Sequence, residues 1–183
     1  KDFYCTGVYK NEEVILRDFK NQTPVGSECF LNGIKVVKYD KNKSNIIAKE
    51  NLKIRKAPNL SAETGKFNYS TYFCSAPSYV SRHPLGNSFT PYSDYIVQDN
   101  GYLPLLLAGL VVSYDAVTVQ KDTIDDITAP WYRIAMYDRS DEGTDEYFWV
   151  FGGYIKEVTD PDNPEYVKIL VQNAVGKGVL KKE

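Results

Sequence analysis

The chain has 183 residues, of which 43% are hydrophobic, so it can bury a core and differs in composition from disordered proteins. Its 22 basic and 24 acidic residues give a net charge of −2 with no basic block, so nucleic-acid binding has no electrostatic support. The longest apolar run, residues 103–112, contains Pro104 and Gly109 and is too short to span a bilayer. We therefore expect a folded chain with neither a nucleic-acid partner nor a transmembrane segment.

The first fifty residues contain short runs of β-favouring residues. Residues 14–17 form one run, and residues 34–39 form a stronger one directly after Asn32-Gly33, a pair that commonly makes a hairpin turn. Residues 46–55 alternate well enough to predict a strand pair or one longer strand. This part of the chain is predicted to be β-rich.

Residues 66–102 differ from the rest because neither a helical nor a strand period persists in them. The segment is rich in Pro, Gly, Ser and Asn and also carries nine aromatic rings. Long irregular loops are uncommon in compact domains unless they have a role. Because a solvated linker would not be so aromatic, we predict that this segment is an irregular insertion that packs against the body of the protein.

Regular patterns return after this insertion. The predicted strands are at residues 105–112, 116–119, 131–137 and 147–158. Residues 122–130 are predicted to be a loop, and Gly152-Gly153 a bend in the last strand. Residues 165–175 fit a helix face, but their β-branched content also favours a strand. Many short strands and turns predict a mainly β barrel or sandwich.

Four stretches resemble the motifs of bacterial SH3-like (SH3b) domains, and they occur in the family order. They are "NLKIRKAPN" at 51–59, "LLLAGLVVSYDAV" at 105–117, "PWYRIAM" at 130–136 and "FWVFGGYIKEV" at 148–158. The resemblance implies a small SH3-like barrel with a long insertion in its RT loop. This sequence departs from the family pattern at Phe148, where a glycine usually precedes the closing Trp.

We accordingly divide the chain into three parts. Residues 1–47 are a β-rich extension or a degenerate half-repeat, since residues 14–40 faintly repeat the Leu-Arg opening and a later strand of the motif. Residues 48–158 are the barrel, with its insertion at about 66–102, and residues 159–183 are a C-terminal tail. The predicted interior residues are Ile54, Val111, Ile134 and Val150.

The resemblance implies a non-catalytic binding role, because SH3-like barrels generally bind ligands in a shallow groove. By position in the motifs, Tyr154 and Trp131 are the candidate groove residues, with core packing as the alternative role for both. The insertion is expected either to cover this groove or to build a second surface. The candidate residues of that surface are Tyr79, His83, Phe89, Tyr92 and Tyr95.

Other site chemistry has little support in the sequence. Cys5, Cys29 and Cys74 contain no CxxC pair and His83 is the only histidine, so we predict no zinc site, and one disulfide with one spare thiol is an alternative in an exported protein. Cys74 with His83 gives the remote alternative of a cysteine hydrolase. The acidic residues at 138–146 do not follow a calcium-loop spacing and are predicted to be a solvated hairpin tip. We expect neither a metal nor a cofactor.

The favoured hypothesis is a binding module of the bacterial cell envelope that recognises a peptide, a protein or a peptidoglycan fragment. A chain that starts at Lys1 fits removal of a signal peptide or trimming of the N-terminus. We expect an exported protein, in the periplasm or at the cell surface, with a lipid anchor as one option. The alternative is a structural or interaction subunit whose groove is occupied by its own insertion.

Overall fold

A computed structural model of the chain describes residues 23–74, 95–98, 101–138 and 144–183, together with the backbone of two earlier strands. The described residues form fifteen strands and two α-helices, α1 Tyr69–Cys74 and α2 Pro164–Gly176. The strands are β1 Tyr4–Val8, β2 Val14–Asp18, β3 Glu28–Leu31, β4 Ile34–Lys38, β5 Asn45–Ala48, β6 Leu52–Lys53, β7 Phe67–Asn68, β8 Tyr95–Val97, β9 Tyr102–Leu103, β10 Leu105–Leu106, β11 Val111–Ile124, β12 Ile127–Asp138, β13 Thr144–Phe151, β14 Ile155–Glu157 and β15 Leu180–Lys182. The predicted mainly β class is confirmed.

One antiparallel sheet joins the N-terminal strands to the rest of the chain, in the order β13-β12-β11-β4-β3-β1-β2. The turn between β3 and β4 is at Asn32 and Gly33, whose φ angles of 51° and 79° are those of the tight hairpin turn that an Asn-Gly pair favours. The N-terminal strands are therefore continuous in hydrogen bonding with β11, β12 and β13.

Strand β11 takes part in two neighbouring sets of pairs. Its first residues, Val111 to Ser113, pair with β5, which in turn pairs with β14. Residues Ala116 to Thr118 pair with β4 on the same side, while β12 runs along the other side. A register shift between Tyr114 and Ala116 marks the point where β11 leaves β5 and meets β4.

The predicted loop at residues 122–130 is wrong, because the structure continues both strands through it as a hairpin. The turn consists of Asp125 and Asp126, with φ angles of 50° and 64°. Asp tolerates the left-handed region and so allows a two-residue turn without glycine. The polar composition that suggested a loop belongs to the exposed side of this hairpin.

Helix α2 covers all of residues 165–175, for which the sequence left helix and strand open, and it lies in the part predicted to be a C-terminal tail. Asn163 caps it by accepting a hydrogen bond from the Glu165 N–H at 3.0 Å, and Pro164 begins it. Its buried face consists of Leu170, Val171 and Ala174. Burial of this face stabilises the helix despite its β-branched residues. Neither helix in the described ranges has the length and apolar character needed to cross a membrane.

The buried side chains form two clusters. The central cluster consists of Ile46, Ala48, Ile54, Phe67, Tyr69, Phe73, Leu106, Leu107, Leu110, Val112, Tyr114, Val117, Ile134, Met136, Phe148, Val150, Leu170, Val171, Ala174, Val179 and Leu180. The tryptophan cluster consists of Cys29, Leu31, Val36, Ala116, Ala129, Trp131, Trp149 and Phe151. Alternate residues of β13 belong to different clusters, as the strand period requires, so the sheet is covered on both faces.

Three of the four predicted interior residues, Ile54, Ile134 and Val150, are fully buried in the central cluster. The prediction is wrong for Val111, which is only half-buried. Its neighbour Val112 faces the cluster instead, because successive side chains of a strand point to opposite faces.

Candidate functional site

Tyr154 lies where the chain bends between β13 and β14. Residues Gly152–Tyr154 form a single 3₁₀ turn, and the Tyr154 ring packs edge-to-face against Phe151 with its centroid 6.4 Å away. The two preceding glycines permit a close approach to the β11–β12 hairpin, because a Cβ on Gly152 would lie 2.6 Å from the Pro130 carbonyl oxygen. A Cβ on Gly153 would lie 2.9 Å from the Ile127 side chain. The bend predicted at this pair is therefore closely packed against the β11–β12 hairpin.

The Tyr154 side chain is half-buried and keeps a polar end near the surface. Its hydroxyl donates a hydrogen bond to Asp125 Oδ2 at 3.2 Å. Desolvation raises the pKa of this hydroxyl, and the bond to Asp125 and the charges of Asp125 and Glu50 raise it further. The hydroxyl therefore stays protonated at neutral pH and acts as a hydrogen-bond donor in an acidic setting.

Trp131 is only 2% exposed, so its ring packs inside the protein and does not face a ligand in this conformation. The indole Nε1–H donates to Asp122 Oδ2 at 2.7 Å, and the ring meets Phe151 edge-to-face at 5.6 Å. The backbone N–H of Trp131 donates to Thr118 Oγ1 at 2.9 Å. This burial favours the alternative role of core packing for Trp131. Trp131 and Tyr154 belong to one aromatic group, but only Tyr154 reaches the surface.

The cover over Trp131 comes from two parts of the chain. Cys29, Leu31 and Val36 of the N-terminal strands share the tryptophan cluster, and Ile124 and Ile127 of the β11–β12 hairpin pack against it. Both parts lie on the face of the sheet opposite the central cluster. The N-terminal extension thus contributes directly to the environment of the candidate site.

The described part of the insertion lies elsewhere, with Phe67, Tyr69 and Phe73 in the central cluster. The Tyr69 hydroxyl donates to the Leu105 carbonyl at 2.9 Å and accepts from the Leu107 N–H at 2.9 Å. Burial raises the pKa of this hydroxyl, so it stays protonated. These contacts confirm that the aromatic residues at the start of the insertion pack against the body.

The candidate insertion surface can be placed at one residue only. Tyr95 lies in β8, opposite Lys182 of β15, and is half-buried against the central cluster. The remaining four candidates, Tyr79, His83, Phe89 and Tyr92, lie outside the described residues. The Cys74 and His83 pair cannot be placed either, because it includes His83.

A buried group of charged residues beside the tryptophan cluster is absent from the sequence-based prediction. Arg133 Nε lies 3.3 Å from Asp115 Oδ1 as an ion pair without hydrogen-bond geometry, and the guanidinium carbon lies 4.1 Å from the centroid of the Tyr147 ring. Lys38 Nζ donates to the Thr23 carbonyl at 2.8 Å. Arg133 is two residues from Trp131 on the same strand, so the strand period could have revealed that both share one covered face.

The charged group contains side chains of both signs. Lys41 pairs with Asp145, which lies in the segment predicted to be a solvated acidic tip. Burial raises the pKa of Asp115, although the charges of Arg133, Lys41 and Lys38 oppose that rise. Within the described ranges, no three His, Cys, Asp or Glu side chains are grouped to hold a metal ion. The group joins the N-terminal strands to β11 and β12.

No family model matches the chain, and comparisons with curated proteins and with solved structures give no match. The assignment of a function therefore depends on the motifs and on the geometry of the Tyr154 site.

Proposed function

We propose that the chain is a non-catalytic binding module of the SH3-like class, exported to the bacterial cell envelope, where it is periplasmic or on the cell surface with or without a lipid anchor. Its ligand would be a peptide, a protein or a peptidoglycan fragment. The observation that carries the proposal is Tyr154, a half-buried aromatic side chain that keeps a hydrogen-bond donor at the surface. Tyrosine in this setting supplies rigid contact area at low entropic cost.

The strand connectivity supports the SH3-like class. Strand β5, which directly precedes the first motif, pairs with β14 in the last motif, so the two ends of the motif-bearing segment meet. Arg55, just after β6, forms a bridge with Trp149 of β13. The four motifs occupy β6, β10 with β11, β12, and the segment from β13 to β14, in that order along the chain.

The second candidate is an interaction subunit whose groove is filled by its own chain. The burial of Trp131 favours it, because side chains of β3, β4 and the β11–β12 hairpin already occupy the space over that ring. In this second candidate, the residues that fill the groove come from the N-terminal strands and the β11–β12 hairpin. The sequence-based prediction was that the insertion at residues 66–102 fills it. Such a subunit would bind its partner through an outer surface.

Co-sedimentation with insoluble peptidoglycan tests the first candidate. We expect the wild type to pellet with the wall material and Tyr154→Ala to lose at least 10-fold in apparent affinity, since truncation of an aromatic anchor typically costs about 2 kcal/mol or more. Tyr154→Phe, which keeps the ring, should lose less. Tyr102→Ala is the matched control, because Tyr102 is 61% exposed on β9.

Two other outcomes of the co-sedimentation experiment lead to different conclusions. If the folded wild type stays in the supernatant, a wall ligand is refuted, and a protein or peptide partner must be sought by the same set of variants. If Tyr154→Ala and Tyr102→Ala pellet as well as the wild type, Tyr154 does not form the binding site, and the filled-groove subunit becomes the better description.

A further inference from the structure

The tip of the β11–β12 hairpin, residues 121–130, is built differently from the strands that lead to it. It contains four cross-strand pairs, from Lys121 with Pro130 to Ile124 with Ile127. The pairing of β11 with β4 ends at Thr118, and that of β12 with β13 ends at Trp131. Within the part of the chain that the structure describes, the tip makes ladder pairs only with itself.

An irregular register separates the tip from the sheet. Val117 pairs with Tyr132 and Lys121 pairs with Pro130, so three residues of β11 are opposite one residue of β12. Thr118 stabilises this bulge, because its Oγ1 donates to the Gln120 carbonyl at 2.6 Å and accepts from the Trp131 N–H at 2.9 Å. A bulge changes the direction of a hairpin, and this one supplies a natural hinge point.

The tip is held against the aromatic site by side chains. Asp125 accepts the hydrogen bond from the Tyr154 hydroxyl, and Asp122 accepts the hydrogen bond from the Trp131 indole. Ile127 packs against the tryptophan cluster. Ala129 is buried in the tryptophan cluster, and Ile124 is half-buried against it. These contacts involve the two aromatic residues that the sequence motifs single out.

The turn carries a conformational cost. Asp125 and Asp126 both adopt positive φ, where residues with a side chain are less stable than glycine. The hydrogen bond between Asp125 and Tyr154 helps to hold this turn in place. One of the contacts that hold the tip down therefore lies at the candidate binding residue.

We propose that residues 121–130 form a clasp over the aromatic site, which pivots at the bulge of residues 118–120 and lifts to free the Trp131 indole N–H and the Tyr154 hydroxyl for a ligand. Cys29, Leu31 and Val36 stay packed in the tryptophan cluster when the clasp lifts. The clasp regulates the site of the proposed function and rests on that function. The structure is the closed state, with Trp131 covered and Tyr154 tied to Asp125. A ligand that binds both groups would stabilise the lifted state.

Acrylamide quenching of tryptophan fluorescence tests the clasp without any ligand. In a Trp149→Phe background, Trp131 is the sole tryptophan. Asp125→Ala removes the bond to Tyr154 without touching the indole, and we expect it to raise the Stern–Volmer quenching constant of Trp131 at least twofold. Thr128→Ala is the control. It removes an exposed hydrogen bond of the same tip, between the Thr128 and Thr123 hydroxyls at 2.7 Å, and it should leave quenching of Trp131 unchanged.

Hydrogen exchange of the wild type provides a second test that does not depend on a variant folding. Amides of residues 121–130 that form the tip's own ladder should exchange at least 10-fold faster than those of β12 at residues 132–136. Exchange of both sets only with global unfolding would overturn the clasp, as would equal quenching in Asp125→Ala and Thr128→Ala. Because neither readout uses a ligand, failure to bind peptidoglycan would refute the proposed wall ligand and leave the clasp test intact.

Discussion

At the scale of single residues, Asp115 and Arg133 form a buried ion pair between the neighbouring strands β11 and β12. Both residues are more than nine-tenths buried, and their charges lie 3.3 Å apart. Removing a carboxylate from water is costly, and here that cost outweighs the attraction of Arg133, so the pKa of Asp115 is raised. The folded protein therefore binds a proton at Asp115 more readily than the unfolded chain does.

This pKa shift predicts how an Asp115→Asn variant compares with the wild type across pH. The contribution of Asp115 to stability is complete below the ordinary Asp pKa of about 3.9 and is lost as pH rises through the raised folded value. The free energy of unfolding of the wild type, relative to the variant, should fall over that window by about 1.4 kcal/mol per unit of separation between the two pKa values. Urea titrations from pH 3 to pH 8 measure it.

The slope of the stability difference against pH shows whether burial or the charge of Arg133 dominates the pKa of Asp115. If Arg133 dominated over burial, the pKa of Asp115 would be lowered, and the wild type would gain stability over the variant as pH rises. The loss of a partner for Arg133 in Asp115→Asn adds an offset at every pH, but it does not reverse the slope.

The same scale explains which site residues the sequence could predict. Tyr154 lies at the bend after β13, with its ring against Phe151 and its hydroxyl bonded to Asp125 at the surface, and its role in a groove stays a prediction. Trp131 also lies on the expected strand. Its burial was not predictable from local sequence because the covering residues Cys29, Leu31 and Val36 are about a hundred residues away along the chain. Local motifs identify an aromatic residue but do not show what lies over it.

At the scale of elements, helix α2 is positioned by a close approach to the turn before β11. Gly109 has a φ angle of +95°, and a Cβ there would lie 2.3 Å from Leu170 N and 2.6 Å from the Tyr166 carbonyl oxygen. Leu170 is buried in the central cluster. Glycine at residue 109 therefore allows both the turn and the contact with the helix.

Gly109→Ala should consequently destabilise the protein more than alanine at another glycine of positive φ. Gly178 is the matched control, with φ +73° and open space around its missing Cβ. Gly178→Ala should cost about 1–2 kcal/mol from backbone conformation alone. Gly109→Ala should cost a further 1–3 kcal/mol or so, because the helix must shift. Urea denaturation followed by circular dichroism compares them, and equal losses would refute the close approach.

Elements were predictable where local pattern and packing agree. The β3–β4 hairpin follows from Asn32-Gly33 and the alternation after it, and the structure has both. Helix α2 was ambiguous because β-branched residues oppose helix formation locally, whereas burial of its apolar face favours it. The sequence does not indicate the hairpin at residues 122–130, because Asp125-Asp126 is a less common turn pair than Asn-Gly.

At the scale of the whole molecule, the sheet makes the N-terminal strands and the motif-bearing strands one structural unit. Residues 36–38 of β4 pair with Ala116 to Thr118 of β11, and Leu31 of β3 is buried beside both tryptophans in the tryptophan cluster. The predicted boundary near residue 47 therefore separates parts of the sequence that share one ladder and one buried cluster. Contacts of this kind favour a single cooperative unfolding transition.

Leu31→Ala tests this unity from the N-terminal side. Leu31 is 1% exposed, so truncation should lower the free energy of unfolding by about 2–5 kcal/mol. Tryptophan fluorescence reports the tryptophan cluster, while the far-ultraviolet signal at 222 nm includes helix α2 on the central cluster. If the molecule is one cooperative unit, Leu31→Ala shifts both urea transitions to the same lower midpoint. Leu106→Ala in the central cluster should also move both probes together. A Leu31→Ala protein whose fluorescence transition moves while its helical transition keeps the wild-type midpoint would instead show an N-terminal unit that unfolds independently.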